Sequence, residues 1–239
     1  MANIMLGYSN QIEYSTLSGG SWNASFPITN IKNKLLSKPA ITTGNSVTFT
    51  FTATSIRAIG IIKTNLPIGA TYSLLNGDEY DSGTLTTIVD NQDLIFGLSA
   101  TASGTFTVTI TSNAPISIGR MFIGATIEPS VNHTVGAGLG YVSQSTVETS
   151  VGGVEYFKSM PIRRNFSFTL DWLTDAEAYQ TLEIIRVSDI INEVLIIPDY
   201  TDTIYGYKRN FMGRLASLSS LKNPYVNTHQ AGFEILEIV

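Results

Sequence analysis

The sequence predicts a mainly β protein: an N-terminal β-sandwich of the jelly-roll type, followed by a smaller α+β part with one helix. Three observations predict this fold class. Apolar and polar residues alternate along several short segments, which is the pattern of half-buried strands. Turn-forming residues separate these segments, and only one stretch combines a helix start signal with helical spacing. The chain has 239 residues, 43% hydrophobic and 14% charged, so it can form a large core under a weakly charged surface.

The alternation is clearest in the first half of the chain. Residues 47–53 place apolar side chains between threonines, and residues 105–111 repeat the pattern after a Ser-Gly turn. Further strands are predicted at residues 56–62, 71–75 and 94–98, with turn-rich pieces between them. Short strands at this spacing are typical of a sandwich or jelly roll, and we assign this domain to residues 1–126.

A change in composition predicts the domain boundary near residue 127. Residues 128–153 are rich in Gly, Ser, Val and Thr and show weak periodicity, which is typical of a linker or long loop. We therefore predict that this loop leads into an α+β assembly domain, residues 127–239.

The predicted second domain starts with a strand at residues 164–172, in which the apolar side chains, including Trp172, share one face. Thr174 and Glu177 match a capping box, which predicts the start of a helix there. The helix face is predicted to consist of Ala178, Leu182 and Ile185. Strands are also expected at residues 193–197, where Pro198 ends the strand, at 205–214 as a strand or hairpin arm, and at 232–239.

Composition and motifs predict no catalytic residue, no metal site and no cofactor. His133 and His229 lack metal-ligand spacing, and no G-x-S-x-G pentad occurs. Net charge is −5 and the pI is near 5.0, which argues against nucleic acid as a partner. No apolar run reaches the roughly 18 to 20 residues that span a bilayer, so no membrane insertion is expected. We predict that the protein is not an enzyme.

Acidic residues form a loose cluster in the first half of the chain. They fit no calcium-binding loop pattern, and two solvated turns are the favoured interpretation over a Ca²⁺ site. The cluster consists of Asp78, Glu79, Asp81, Asp90 and Asp93.

Four aromatic residues are candidate contacts for a glycan or a subunit interface. Aromatic rings near loops can stack on sugar rings, and Tyr and Trp are also enriched where proteins meet. We favour the interface because the surface is weakly charged. The residues are Trp22, Tyr72, Tyr80 and Tyr141.

A glycine-rich stretch is the candidate assembly arm. Gly136, Gly138 and Gly140 lack the Lys-Ser/Thr ending of a phosphate-binding loop. We expect the segment from residue 136 to 153 to order on a neighbouring subunit.

Seven short segments carry a resemblance to a known family: residues 4–8, 26–31, 58–66, 118–124, 163–168, 173–178 and 232–237. They resemble minor tail or baseplate proteins of tailed bacteriophages that carry a discoidin-like (galactose-binding-like) jelly roll. Residues 118–124 are the most distinctive of them. Residues 37–40 depart from the family, since they carry no Trp or Arg where relatives often have one.

The resemblance implies a structural component of the virion tail, assembled in the host cytoplasm. Its implied partners are other tail or baseplate proteins and further copies of the chain in a symmetric ring. The alternative is a non-catalytic glycan-binding module that attaches to host surface glycan. An enzyme that depolymerises such glycan is disfavoured, because no catalytic set is visible in the sequence.

Overall fold

A computed structural model describes residues 2–77, 80–225 and 228–239. Within these residues the protein is mainly β, with one long α-helix, and the predicted fold class is confirmed. The first nine strands are β1 (Met5–Tyr8), β2 (Leu17–Gly19), β3 (Ala40–Ile41), β4 (Ser46–Thr64), β5 (Thr71–Asn76), β6 (Tyr80–Asp81), β7 (Leu85–Thr86), β8 (Leu94–Thr111) and β9 (Ser117–Ile127). Two 3₁₀ turns lie at Gln11–Glu13 and Ile28–Lys32.

The rest of the chain adds eight strands and two helices within the described residues. In chain order these are β10 (Gly138–Val142), β11 (Thr146–Thr149), β12 (Glu155–Lys158), β13 (Arg163–Leu173), α1 (Asp175–Ser188), β14 (Val194–Ile197), α2 (Gly206–Arg209), β15 (Phe211–Leu215), β16 (Lys222–Tyr225) and β17 (Thr228–Glu237). No helix in the described part of the chain is both long and apolar enough to cross a membrane.

The chain forms two compact units. The first consists of Met1–Glu128 and Glu193–Met212, and the second of Pro129–Asn192 and Gly213–Val239. The predicted division placed everything after residue 126 in the second domain. The structure differs because β14 pairs antiparallel with β1, so residues 193–212 return to the first unit.

Two long bent strands organise the first unit. Residues 47–53 and 56–62 were predicted as separate strands, but both lie in β4. The register of β4 against β8 shifts at Ala53 and Ile56, and Ser55 between them has a φ of 53°. This bulge bends the strand without ending it. β8 likewise joins the predicted strands 94–98 and 105–111, with Gly104 at a φ of 120° inside the strand.

The bends divide the first unit into two sheet layers. The first arm of β4 pairs with β2 and with the second half of β8, which also pairs with β5. The second arm pairs with β9, and β9 continues to β1 and β14. Phe49 and Phe51 of the first arm share one buried core with Ile59 and Ile61 of the second. The arms therefore pack face to face as a β-sandwich.

The second layer is covered on both faces. Its outer side carries a separate buried cluster to which β14 contributes Leu195 and Ile197, packed with Ile62 and Phe122. This explains why residues 58–62 are buried without alternation, as expected for a strand with apolar contacts above and below.

The second unit is built on β13 and β17, which pair antiparallel, with β15 and β16 beside β17. Helix α1 begins with the predicted capping box at Thr174 and Glu177. Leu182 was predicted on its buried face but is 37% exposed, whereas Thr181 and Ile184 are buried. Trp172 was predicted to share a face with the buried side chains of β13. It is 58% exposed at a φ of 61°, because a bulge interrupts the register there.

A long β-ribbon, residues 138–167, replaces most of the predicted loop. β10 pairs with β13 and β11 pairs with β12, all antiparallel. Between the two paired regions, the Met160 amide donates to Ser145 Oγ (2.9 Å), which keeps the strands together. The prediction of a loop was wrong because Gly and Ser weaken the apolar periodicity that marks strands. Residues 205–214, predicted as a strand or hairpin arm, form α2 and then β15.

Candidate functional site

A cleft of about 260 Å³ on the first unit is the best candidate site. It lies where residues from β5–β8 meet the segment that follows β14. Four tyrosines line it: Tyr72 on β5, Tyr80 on β6, Tyr200 after β14, and Tyr207 on α2. The cleft thus requires both chain segments of the first unit.

Close packing holds the aromatic rings in place. Tyr72 stands edge-on to Phe96, with ring centroids 5.7 Å apart and an interplanar angle of 73°, a favourable arrangement for an aromatic pair. Gly97 follows on β8, and a Cβ there would lie 2.5 Å from Cβ of Tyr200. Glycine is therefore required at this point for the returning segment to approach the sheet.

Gln92 supplies a fixed amide beside the rings. It is 7% exposed, and its Oε1 accepts a hydrogen bond from the Ile88 amide at 2.7 Å. Burial raises the pKa of Tyr72, and a hydrogen bond with the Gln92 side chain opposes this rise. Burial, followed by the negative charge of Asp81, raises the pKa of Tyr80. Both phenols therefore remain neutral donors at physiological pH.

Two aspartates supply oriented acceptors. Asp202 Oδ1 accepts from the Tyr205 amide at 2.8 Å, and its Oδ2 accepts from Arg209 at 3.0 Å. Asp93 Oδ1 accepts from the Lys63 amide at 2.8 Å. None of the described residues that line the cleft is Lys or Arg, so the cleft offers no cation to an anionic ligand.

Chemically, the cleft suits a small, neutral and polar ligand. Its volume lies just below the roughly 300 to 1,000 Å³ of drug-sized ligand pockets, which limits the bound portion to about one sugar ring. Aromatic faces can contact apolar C–H groups, while amide, phenol and carboxylate groups exchange hydrogen bonds with hydroxyls.

The structure brings together only Tyr72 and Tyr80 of the four predicted aromatic contacts. Trp22 packs edge-on to Phe49 at 5.9 Å and donates through Nε1 to the Gly19 carbonyl at 2.9 Å, away from the cleft lining. Tyr141 lies in the second unit on β10 and is 70% exposed.

The predicted arm glycines belong to the β-ribbon or the approach to it. Gly136 has a φ of 108° and precedes the ribbon, while Gly138 and Gly140 lie in β10. Sequence reasoning missed Gln92, Asp202 and the two tyrosines after β14, since nothing in the local sequence indicates that residue 200 meets residue 97.

The predicted acidic cluster has separate hydrogen-bonding roles where it is described. Asp81 accepts from the Gly83 amide and Asp90 from the Ile68 amide, both at 2.8 Å. Asp78 and Glu79 lie outside the described residues. Among the residues with described positions, no group of three or more His, Asp or Glu side chains could hold a metal ion.

The two histidines lie in the second unit. His133 packs against the rings of Phe166 and Phe168. His229 Nε2 lies 2.7 Å from Asp175 Oδ1, and its Nδ1 lies 2.5 Å from Asn223 Oδ1. The fold thus supplies His229 with a carboxylate partner that the sequence spacing did not indicate.

Comparisons with known proteins yield distant structural likenesses only. No family model and no curated protein matches the chain. Similar solved structures include CpGH89CBM32-4 of Clostridium perfringens (TM-score 0.40, 15% identity, covering 49% of this chain and 100% of that chain). Another is the family 32 CBM from C. perfringens NanJ in complex with galactose (TM-score 0.41, 17% identity, covering 49% of this chain and 98% of that chain). A third is a mutant of the lectin binding domain of Lectinolysin complexed with Lewis b (TM-score 0.40, 11% identity, covering 51% of this chain and 99% of that chain). At these TM-scores the likenesses support no conclusion about this chain.

Proposed function

We propose that the protein is a non-catalytic carbohydrate-binding protein that holds one neutral sugar unit in the tyrosine-lined cleft. The observation that carries this proposal is the composition of the cleft: four tyrosines, a buried amide and two oriented carboxylates, with no basic residue among its described lining. A neutral sugar has both the apolar ring face and the hydroxyl groups that such a lining matches. The proposed ligand in its biological setting is a glycan of a host cell surface.

The lack of a cation distinguishes between glycan classes. A sialylated, phosphorylated or uronic acid unit would bring its negative charge close to Asp93 and Asp202. The described lining contains no Lys or Arg, and Arg209 beside it already pairs with Asp202. Like charges are unfavourable at short range. We therefore expect neutral hexoses to bind and their anionic counterparts to be rejected.

The test is binding of the purified full chain to an array of neutral and anionic glycans, followed by calorimetry with the best monosaccharide. Tyr80→Ala and Tyr207→Ala should each weaken binding roughly tenfold, because each removes an aromatic contact worth up to about 1.5 kcal/mol. Tyr14→Ala is the matched control, since Tyr14 is 88% exposed and does not line the cleft. Equal loss with Tyr14→Ala, or binding of anionic glycans alone, would refute the assignment.

A second candidate function is a structural role in a virion, as a minor tail or baseplate component that acts through subunit contacts. The observation that favours it is the β-ribbon, which exposes a long run of apolar side chains. Such surfaces mark contacts with other molecules. Immunogold labelling of phage particles that encode this chain tests the role; the proposal expects label at the tail, and particles without label would contradict it.

A further inference from the structure

The β-ribbon is exposed over almost its whole length. All residues from 138 to 149, and all from 151 to 162, are exposed. Its large apolar side chains are well accessible to solvent: Leu139 42%, Tyr141 70%, Val147 57%, Tyr156 62% and Phe157 74%. A two-stranded ribbon is one layer thick and only marginally stable alone. The ribbon therefore lacks cover within the described parts of its own chain.

One edge of the ribbon is also open. β13 pairs with β17 on the side away from β10, but no described strand pairs with the outer edge of β10 or β11. Monomeric proteins protect such edges with Lys, Pro or strong charge. Residues 138–149 contain no Pro, Lys or Arg, and Glu148 is their one charged residue. This edge is suited to the addition of another strand.

We propose that a second copy of this chain pairs with this edge, antiparallel and about a two-fold axis. The first strand of the ribbon, residues 138–149, has two regular parts, β10 and β11. An irregular joint at residues 143–145 separates them. When Ser143 of one copy faces Gln144 of the other, β10 of each copy pairs with β11 of the other. The strand is thus complementary to itself, which a two-fold contact requires.

The charges and side chains agree with this register. Glu148 faces Leu139 of the second copy, so the two Glu148 carboxylates lie far apart along the ribbon. Val147 faces Gly140 of the second copy. A Cβ at Gly140 would meet no atom within 4 Å, so there is open space beside it for a branched side chain from the other copy.

The size of the contact predicts a weak dimer. Twelve residues extend about 40 Å, and an edge contact roughly 10 Å high buries on the order of 400 Å² per copy. That is about half of the roughly 800 Å² per partner of a standard interface. About eight backbone hydrogen bonds would form. This deepens the structural candidate function and is independent of the carbohydrate proposal.

Disulfide trapping tests the register, since the chain contains no cysteine. Facing residues of antiparallel strands have Cα atoms about 4.5 to 5.5 Å apart, which lies within the range for a disulfide. The double variant Gly140→Cys/Val147→Cys should form covalent dimers under mild oxidation. Within one chain, residue 140 pairs with Asn165 and residue 147 with Phe157, so no intrachain disulfide can form.

Each single cysteine variant is the matched control, because in this register residues 140 and 147 do not face their own copies. We expect covalent dimers from the double variant and monomers from both single variants. Sedimentation of the unaltered chain should show a dimer at about 200 µM, which Val147→Lys abolishes while far-UV circular dichroism is unchanged. Crosslinking of a single variant, a monomer throughout, or a dimer that survives Val147→Lys would overturn the proposal. If the virions are labelled but the purified chain is a monomer, this contact is refuted and the structural role in the virion is not.

Discussion

Replacing Arg120 by methionine should destabilise the first unit strongly. Arg120 is fully buried on β9, and its Nε and Nη2 donate to the two carboxylate oxygens of Glu193 at 2.8 and 2.9 Å. Nη2 also donates to Glu13 at 3.2 Å, and Nη1 donates to the Lys32 carbonyl. One guanidinium thus joins β9, both 3₁₀ turns and the segment that leads into β14.

The expected loss of stability arises because the substitution leaves the Glu193 carboxylate buried without its cationic partner. Glu193 is 7% exposed, and without Arg120 the described donor to its carboxylate is Asn10 Nδ2 at 2.7 Å. Removing one partner of a buried ion pair typically costs about 3 to 5 kcal/mol, whereas methionine keeps most of the apolar packing. In a chain of this size, that corresponds to a melting temperature lower by about 6 to 20 °C.

Urea unfolding followed by tryptophan fluorescence measures the effect. Trp22 lies in the first unit and Trp172 in the second, so a Trp172→Phe background makes the signal specific for the first unit. The double variant Arg120→Met/Glu193→Gln should recover about 1 to 3 kcal/mol of the loss, because it removes the unpaired charge. The refuting result is a loss below about 1 kcal/mol, or a double variant no more stable than Arg120→Met. Arg186→Met, at an exposed pair with Glu183, is the control and should leave unfolding unchanged.

Three further predictions concern the helix start and the cleft. Thr174→Ala should cost the second unit about 1 kcal/mol, measured by urea unfolding, and an unchanged midpoint would refute the cap's role. Partial burial favours the neutral form of Glu177, but hydrogen bonds from Thr174 and Ser130 outweigh this effect and hold the pKa of Glu177 below its usual value. The ionised Glu177 carboxylate therefore stabilises the folded second unit above about pH 4.3. This contribution is lost as pH falls through the lower folded pKa. Glu177→Gln should flatten that acid dependence, and an unaltered dependence would contradict it. Gly97→Ala should abolish sugar binding through its clash with Tyr200, and calorimetry showing unaltered affinity would exclude the described approach of the two segments.

The sequence predicted those elements that depend on residues close together in the chain. The capping box at Thr174 and Glu177 involves residues three positions apart, and the alternation in residues 47–53 and 105–111 reports one buried face per strand. The bulge at Ser55 escaped prediction, since Ser55 adopts a positive φ without being glycine. Residues 138–162 of the β-ribbon were not predicted as strands. They are almost all exposed, so no buried face imposes a period on the sequence.

The cleft could not be predicted because its parts are far apart in the chain. Tyr72 and Tyr80 were selected as aromatic residues near loops, but their role as one wall depends on Tyr200 and Tyr207. The segment that carries these two tyrosines reaches the sandwich only because Leu195 and Ile197 fill the outer cluster and Glu193 meets Arg120. Packing and electrostatics over more than 70 residues of separation therefore determine where the tyrosines lie.

The discontinuity of the first unit links its stability to the proposed function. Residues 193–212 supply β14, which covers the outer face of the second layer, and also one wall of the cleft. A change that loosens the attachment of β14, such as loss of the Arg120–Glu193 pair, releases Tyr200 and Tyr207 from the opposite wall. Sugar affinity should therefore fall together with the stability of the first unit in Arg120→Met, and return in part in Arg120→Met/Glu193→Gln. Affinity that stays constant across these variants would mean that the sugar binds away from this cleft.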